Sequence, residues 1–195
     1  HMAETCVETP EMTDRALTNA ETSFAKQVLG SDFKTQDIRL HFCQNANPPS
    51  LAKTRNMLSA VYFFEGKNHS KDFTHAPDIE KSIFLHEMTH LWQTQNYGFA
   101  RDFLRMAEKR GYDYSVNYGD TFDDFGTEQQ AAMIEDYYMH FLAKDEMGSY
   151  RPYIQNPKNL RALKSVVESQ FPHIKPRGDA NPGTQQRRKG LPPST

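Results

Sequence analysis

The chain has 195 residues, 37% of them apolar and 25% charged, with a formal net charge of −2. A chain of that length is one domain, large enough to fold without disulfides or a structural metal. The near-balanced charge implies no general affinity for nucleic acid or anionic membranes, and no run of about 18 apolar residues is present to span a bilayer. The first residues lack the basic and apolar regions of a secretory signal. Cys6 and Cys43 are too few for a disulfide framework and show no CxxC spacing. They are either two thiols, one terminal and one packed in a strand as a small hydrophobe, or a single disulfide that tethers the N-terminal arm and suits an oxidising compartment.

Residues 1–12 read as an arm and residues 13–171 as the folded domain. A helix is expected from about Thr13 to Leu29, started by Asp14 and stopped by Gly30. In "DIRLHFCQ", Ile38, Leu40 and Phe42 alternate with Arg39, His41 and Cys43, the pattern of a half-buried strand. "NANPPSLAKTRN" reads as a Pro/Asn-rich loop and "LSAVYFFEG" as a second strand, with "KNHSKDFTHAP" a candidate for a short third. Pro77 and Asp78 start a helix that ends by Gly98. "FARDFLRMAEKR" is a further helix, and residues 111–126 form a long aromatic and acidic loop. A strong helix runs from Thr127 to about Lys144, and a last one, in "NPKNLRALKSVVESQF", turns Leu160, Leu163, Val166 and Val167 inward. From Pro172 to Thr195 the composition becomes that of a flexible tail, its "RRKG" a solvated charge run. A small sheet followed by helices is the order of an α+β fold.

The chemistry concentrates in "SIFLHEMTHLWQTQ", residues 82–95. A helix turns about 100° per residue, so His86 and His90 lie about 40° apart on one face. Their imidazoles can converge on one ion, with Glu87 about 60° further round and within reach of a water beside it. That is the physical content of H-E-x-x-H: two neutral nitrogen ligands and an adjacent base, with zinc lowering the pKa of bound water and polarising a carbonyl. Ile83, Phe84, Leu85, Leu91 and Trp92 make the surroundings apolar, as a buried site needs and two solvated histidines do not.

A catalytic zinc requires a third protein ligand and an open fourth position. Six residues after His90 stands Asn96, not a third histidine. The helix "TEQQAAMIEDYYMHF" offers carboxylates instead. Glu128 and Glu135 lie within about 20° of one face. Glu128 is preferred: it sits in the first turn, where the helix dipole favours an anion, and Ala131 and Ala132 permit close approach of the two helices. Glu135 remains the alternative. Asp136 is expected either to accept a hydrogen bond from a ligand histidine or to position a neighbouring group. Tyr112, Tyr114, Tyr118, Tyr137, Tyr138 and His140 are candidates to stabilise an oxyanion, each with packing as its plainer role. Asp120, Asp123 and Asp124 read as solvated loop acids or as a means of selecting basic substrate groups.

These residues resemble a family. HExxH followed by a glutamate on a later helix is the gluzincin arrangement. More narrowly, "FLHEMTHLWQTQNYG", preceded by "AVYFFEG" and followed by "EQQAAMIEDYY", resembles bacterial metallopeptidase domains fused to, or encoded beside, the valine-glycine repeat spike and Rhs proteins of type VI secretion systems. The resemblance covers roughly residues 30–145. It implies a zincin-like fold, with a small sheet packed on the active-site helix and a mostly helical C-terminal part. It also implies a toxin with one catalytic Zn2+ held by His86, His90 and Glu128, and Glu87 as general base. The implied partners are a protein or peptidoglycan-peptide substrate, an immunity protein and a secretion spike. Delivery would be independent of a signal peptide, from the producer's cytoplasm to the target cell's periplasm. Two departures stand out. Ala132 replaces the aspartate four residues after the glutamate of many gluzincins, and no segment of the chain reads as a spike. The rival reading is a degenerate zinc-binding domain used for protein recognition.

Overall fold

The computed structural model describes residues 14–43, 52–55, 59–64, 71–98, 111–144 and 157–176. The expected helix in "FARDFLRMAEKR" and most of the C-terminal tail lie outside these residues. The remainder forms an α+β fold, as expected from the order of elements.

Strand β1 (Arg15–Ala16), β2 (Arg39–Cys43), β3 (Ala52–Arg55) and β4 (Ala60–Phe64) form one sheet in the order β1-β2-β4-β3. β2 and β4 are parallel, with Leu40 opposite Val61, while β1 and β3 add antiparallel edges. Four expectations for residues 13–76 are corrected here. Helix α1 begins at Asn19, not near Thr13, and runs to Leu29. Thr18 starts it through a capping box: the Glu21 amide donates to Thr18 Oγ1 at 3.0 Å, and the Thr18 amide donates to Glu21 Oε1 at 2.9 Å. Asp14, the expected cap, instead accepts from Arg39 Nε at 2.8 Å, which leaves Arg15 and Ala16 free to join the sheet. Residues 52–55, read as loop, form edge strand β3; "AKTR" carries no apolar alternation, which an edge strand does not require. Within 71–76 there is a 3-10 turn, Phe73–His75, rather than a strand, because Asp72 Oδ1 accepts from the Thr74 amide at 2.8 Å and tightens the chain.

Ile38, Leu40 and Phe42 are buried at 1%, 0% and 1% exposure, as the alternation predicts. Cys43 is equally buried and disulfide-bonded, so of the two readings of the cysteines the disulfide holds; its partner lies outside the described residues.

The central helix α2 spans Asp78–Tyr97, with Gly98 beyond its end at φ 76°, its amide donating to the Thr94 carbonyl. Phe84, Leu85, Met88, Leu91 and Trp92 are buried around it, so it has no solvated stripe through its middle and runs through the core. A file of aromatic rings joins it to the sheet: Phe63 lies 4.8 Å from Phe73 between ring centroids, and Phe73 lies 5.0 Å from Phe84. On its other side α2 packs against α3 (Thr127–Tyr137), which continues as a wider π turn over Tyr138–Leu142. Gly126, rather than Thr127, is the capping residue of α3, and Gln129 reaches back to its amide at 2.9 Å. Helix α4 (Pro157–Gln170) closes the core with Leu163, Val166 and Val167. Beyond it, Ile174 is still buried and His173 Nε2 lies 2.9 Å from the Val28 carbonyl, so the start of the tail packs onto the end of α1.

Candidate metal centre

The close packing of α2 on α3 sets the site. Ala131 and Ala132, both at 0% exposure, bring the first turns of α3 against the middle of α2. Across that seam His86, His90 and Glu128 point at one another. His86 Nε2 and His90 Nε2 are 3.1 Å apart, and Glu128 Oε2 lies 3.2 Å from the first and 3.3 Å from the second. On a tetrahedral ion with bonds of about 2.0–2.1 Å, neighbouring ligand atoms are separated by about 3.3–3.4 Å. The triangle therefore matches the base of such a coordination shell.

The far nitrogens of the two rings explain why a cation fits. His86 Nδ1 contacts Glu135 Oε1, and His90 Nδ1 lies 2.9 Å from Gln93 Oε1. Both partners are acceptors, so both Nδ1 atoms carry a proton. In the neutral rings the two Nε2 lone pairs then face each other and a carboxylate. Three acceptors at hydrogen-bond distance repel unless protons or a cation lie between them. Without an ion, protons fill that role. Burial opposes charging His86, but Glu128 and Glu135 outweigh it and raise its pKa to about 10. Burial likewise opposes protonation of His90, and Glu128 overrides it upward. Burial works against the charge of Glu128 too, yet the hydrogen bonds from His86 and His90 hold its carboxyl well below the usual range. His86 is 6% and His90 9% exposed, whereas the Glu128 side chain keeps 32%, so solvent reaches the triad on the Glu128 side.

Glu87, the neighbour of His86 in sequence, is 4% exposed, and its charge favours the protonated forms of both histidines. Of the two carboxylates left open by spacing, Glu128 meets both Nε2 atoms and Glu135 holds the opposite edge of His86. Asp136, 1% exposed, accepts from the Tyr114 hydroxyl at 2.5 Å, and the carboxylate that meets the far side of the His86 ring is Glu135.

The oxyanion candidates separate. The hydroxyls of Tyr137 and Tyr138 donate to Glu168 at 3.0 Å and Asp78 at 2.6 Å. Tyr118, 59% exposed, accepts from Arg161 Nε at 3.3 Å. Burial lowers the pKa of His140 to about 4. Tyr112 is 49% exposed with its ring 5.8 Å from that of His86, so it is the candidate placed at the triad. The loop acids serve local structure: Asp120 and Asp124 accept from the amides of Asn117 and Thr121, and Asp123 accepts from Tyr97 at 2.6 Å. Gln93 was not singled out from sequence. Its signal was there: a polar side chain one turn beyond the second histidine, on a helix otherwise buried.

Fold and site together define an α+β domain with a two-helix, two-histidine, one-carboxylate candidate metal centre. No family model matches the chain. It is 32% identical over 145 residues to the type VI secretion system spike protein VgrG2b of Pseudomonas aeruginosa, a match that takes in 69% of this chain and 13% of that protein. The match supports common descent with a segment of that spike protein, of whose length the chain spans only a small part. A solved chain, the effector domain of Pseudomonas aeruginosa VgrG2b, superimposes with a TM-score of 0.49 and 22% identity, covering 86% of this chain and 87% of that one.

Proposed function

We propose that the chain is a zinc-dependent hydrolase of peptide or amide bonds, a zincin-like domain of gluzincin type deployed as an effector of a type VI secretion system. The observation that carries the reading is the triangle of His86 Nε2, His90 Nε2 and Glu128 Oε2, with Glu87 buried beside it. Zinc, when bound, supplies a Lewis acid that polarises a carbonyl and acidifies water. Glu87 takes the proton from the attacking water and passes it to the leaving amine. Glu135 and Gln93 keep the ring protons of His86 and His90 on Nδ1, so that Nε2 of each faces the centre. Tyr112, at the exposed rim, is the tyrosine best placed to meet the substrate carbonyl.

The effector role rests on the sequence similarity to a spike protein. A spike is then the delivery partner, an immunity protein the producer's protection, and a protein or the peptide of peptidoglycan the substrate. The disulfide at Cys43 suits action in an oxidising compartment such as a target cell's periplasm. The test is Glu87→Gln. It lowers turnover of a peptide substrate by about 10²–10⁴-fold while one zinc per chain remains bound. Full activity or full toxicity of that variant overturns the mechanism.

A further inference from the structure

His90 is tied to the acidic loop by a buried chain of amides. Gln93 Oε1 lies 2.9 Å from His90 Nδ1. Gln93 Nε2 donates to the Thr127 carbonyl at 2.8 Å and to Gln130 Oε1 at 2.9 Å. Gln130 Nε2 donates to the Phe122 carbonyl at 2.7 Å and lies 3.2 Å from the Tyr97 hydroxyl, which donates to Asp123. Gln93 and Gln130 are both at 0% exposure.

The direction of this chain is fixed by two backbone carbonyls. A carbonyl only accepts, so Phe122 holds the NH2 of Gln130 and turns its oxygen to Gln93. Thr127 holds the NH2 of Gln93 in the same way and turns its oxygen to His90. Rotating either amide by 180° would set oxygen against oxygen at a buried site, which is costly. His90 is thereby left a single arrangement: Nδ1–H donated to Gln93 and Nε2 free for an ion.

We infer that Gln93 is a positioning residue that selects the coordinating nitrogen of His90, and that Gln130 and the two carbonyls keep its amide in that orientation. The inference rests on the metal-site reading above and adds a role for a residue that touches neither ion nor substrate. A neutral amide serves here where a carboxylate, Glu135, serves His86.

The experiment measures zinc affinity by competition with a chromophoric chelator in the wild-type protein and in Gln93→Met. Circular dichroism of each metal-free protein reports folding separately. Methionine fills the space and cannot accept as an amide oxygen does. Gln93→Met weakens zinc binding by about 10–100-fold. In the zinc-loaded wild type the His90 Nδ1 proton gives a slowly exchanging low-field NMR signal, and in Gln93→Met it exchanges faster. An affinity of Gln93→Met within about threefold of wild type, or a His90 Nδ1 proton that exchanges as slowly in Gln93→Met as in the wild type, overturns the inference while leaving the metal site intact. A wild-type protein that binds no zinc overturns both.

Discussion

Glu135 grips His86 from behind: its Oε1 meets Nδ1, on the side of the imidazole turned away from Glu128. The two glutamates stand seven residues apart on α3 and clasp one ring from opposite edges. One faces the candidate metal centre, and the other sits where it would fix the ring's tautomer and raise its basicity. Glu135→Gln keeps the shape and removes the charge. Zinc affinity should fall by about 10–100-fold with the fold unchanged, as measured by chelator competition and circular dichroism. Unchanged affinity would show that the contact is packing alone.

The protons that hold the metal-free triad together compete with an ion. His86, raised to about 10, contributes stability that is complete below its ordinary value of 6.5 and is lost as pH climbs towards 10. His90 shifts in the same direction. Zinc binding must expel these protons. The thermal stabilisation that zinc confers, holoprotein minus metal-free protein, should therefore grow between pH 6 and pH 9. Calorimetry across that range checks it, and a difference that is flat or shrinks with pH contradicts the protonation pattern.

His140 titrates in the opposite sense. Burial lowers its pKa to about 4, so between about pH 6.5 and pH 4 the unfolded chain binds a proton that the folded one refuses. Stability should fall with acidification through that window, and His140→Gln should flatten the slope. A melting series at fixed ionic strength reads this directly.

The N-terminal edge of the sheet hangs on Glu21. This carboxylate is at 0% exposure and accepts from Arg15 at 2.6 and 3.0 Å, from the Thr18 amide at 2.9 Å and from the Phe73 amide at 3.0 Å. It joins β1, the start of α1 and the turn before α2. Glu21→Ala strands those donors and should cost about 3–5 kcal/mol in denaturant unfolding. A loss below about 1 kcal/mol would contradict this account of how the edge is held.

What could be read from sequence follows from how local each signal is. His86, Glu87 and His90 were legible because a helix alone sets their mutual angle. Glu128 was legible because the first turn of a second helix suits an anion. The choice of Glu135 over Asp136 behind His86 was not, since adjacent helix positions differ by about 100° and only the packing of α3 on α2 decides which faces the ring. Gln93 escaped for the same reason, as its partners Thr127 and Gln130 belong to another helix. Strand β3 escaped because an edge strand needs no apolar pattern. The start of α1 was misplaced because two N-cap residues, Asp14 and Thr18, were available, and only Thr18 is followed three residues later by a glutamate.

The central claim is that His86, His90 and Glu128 hold one zinc ion. X-ray absorption at the zinc edge, on protein carrying its measured metal content, tests it most directly. The account predicts one zinc per chain, bound by two imidazoles and one carboxylate oxygen at about 2.0–2.1 Å, and loss of stoichiometric zinc in His90→Ala. A protein that retains no zinc, or a zinc shell that lacks either imidazole, would contradict it.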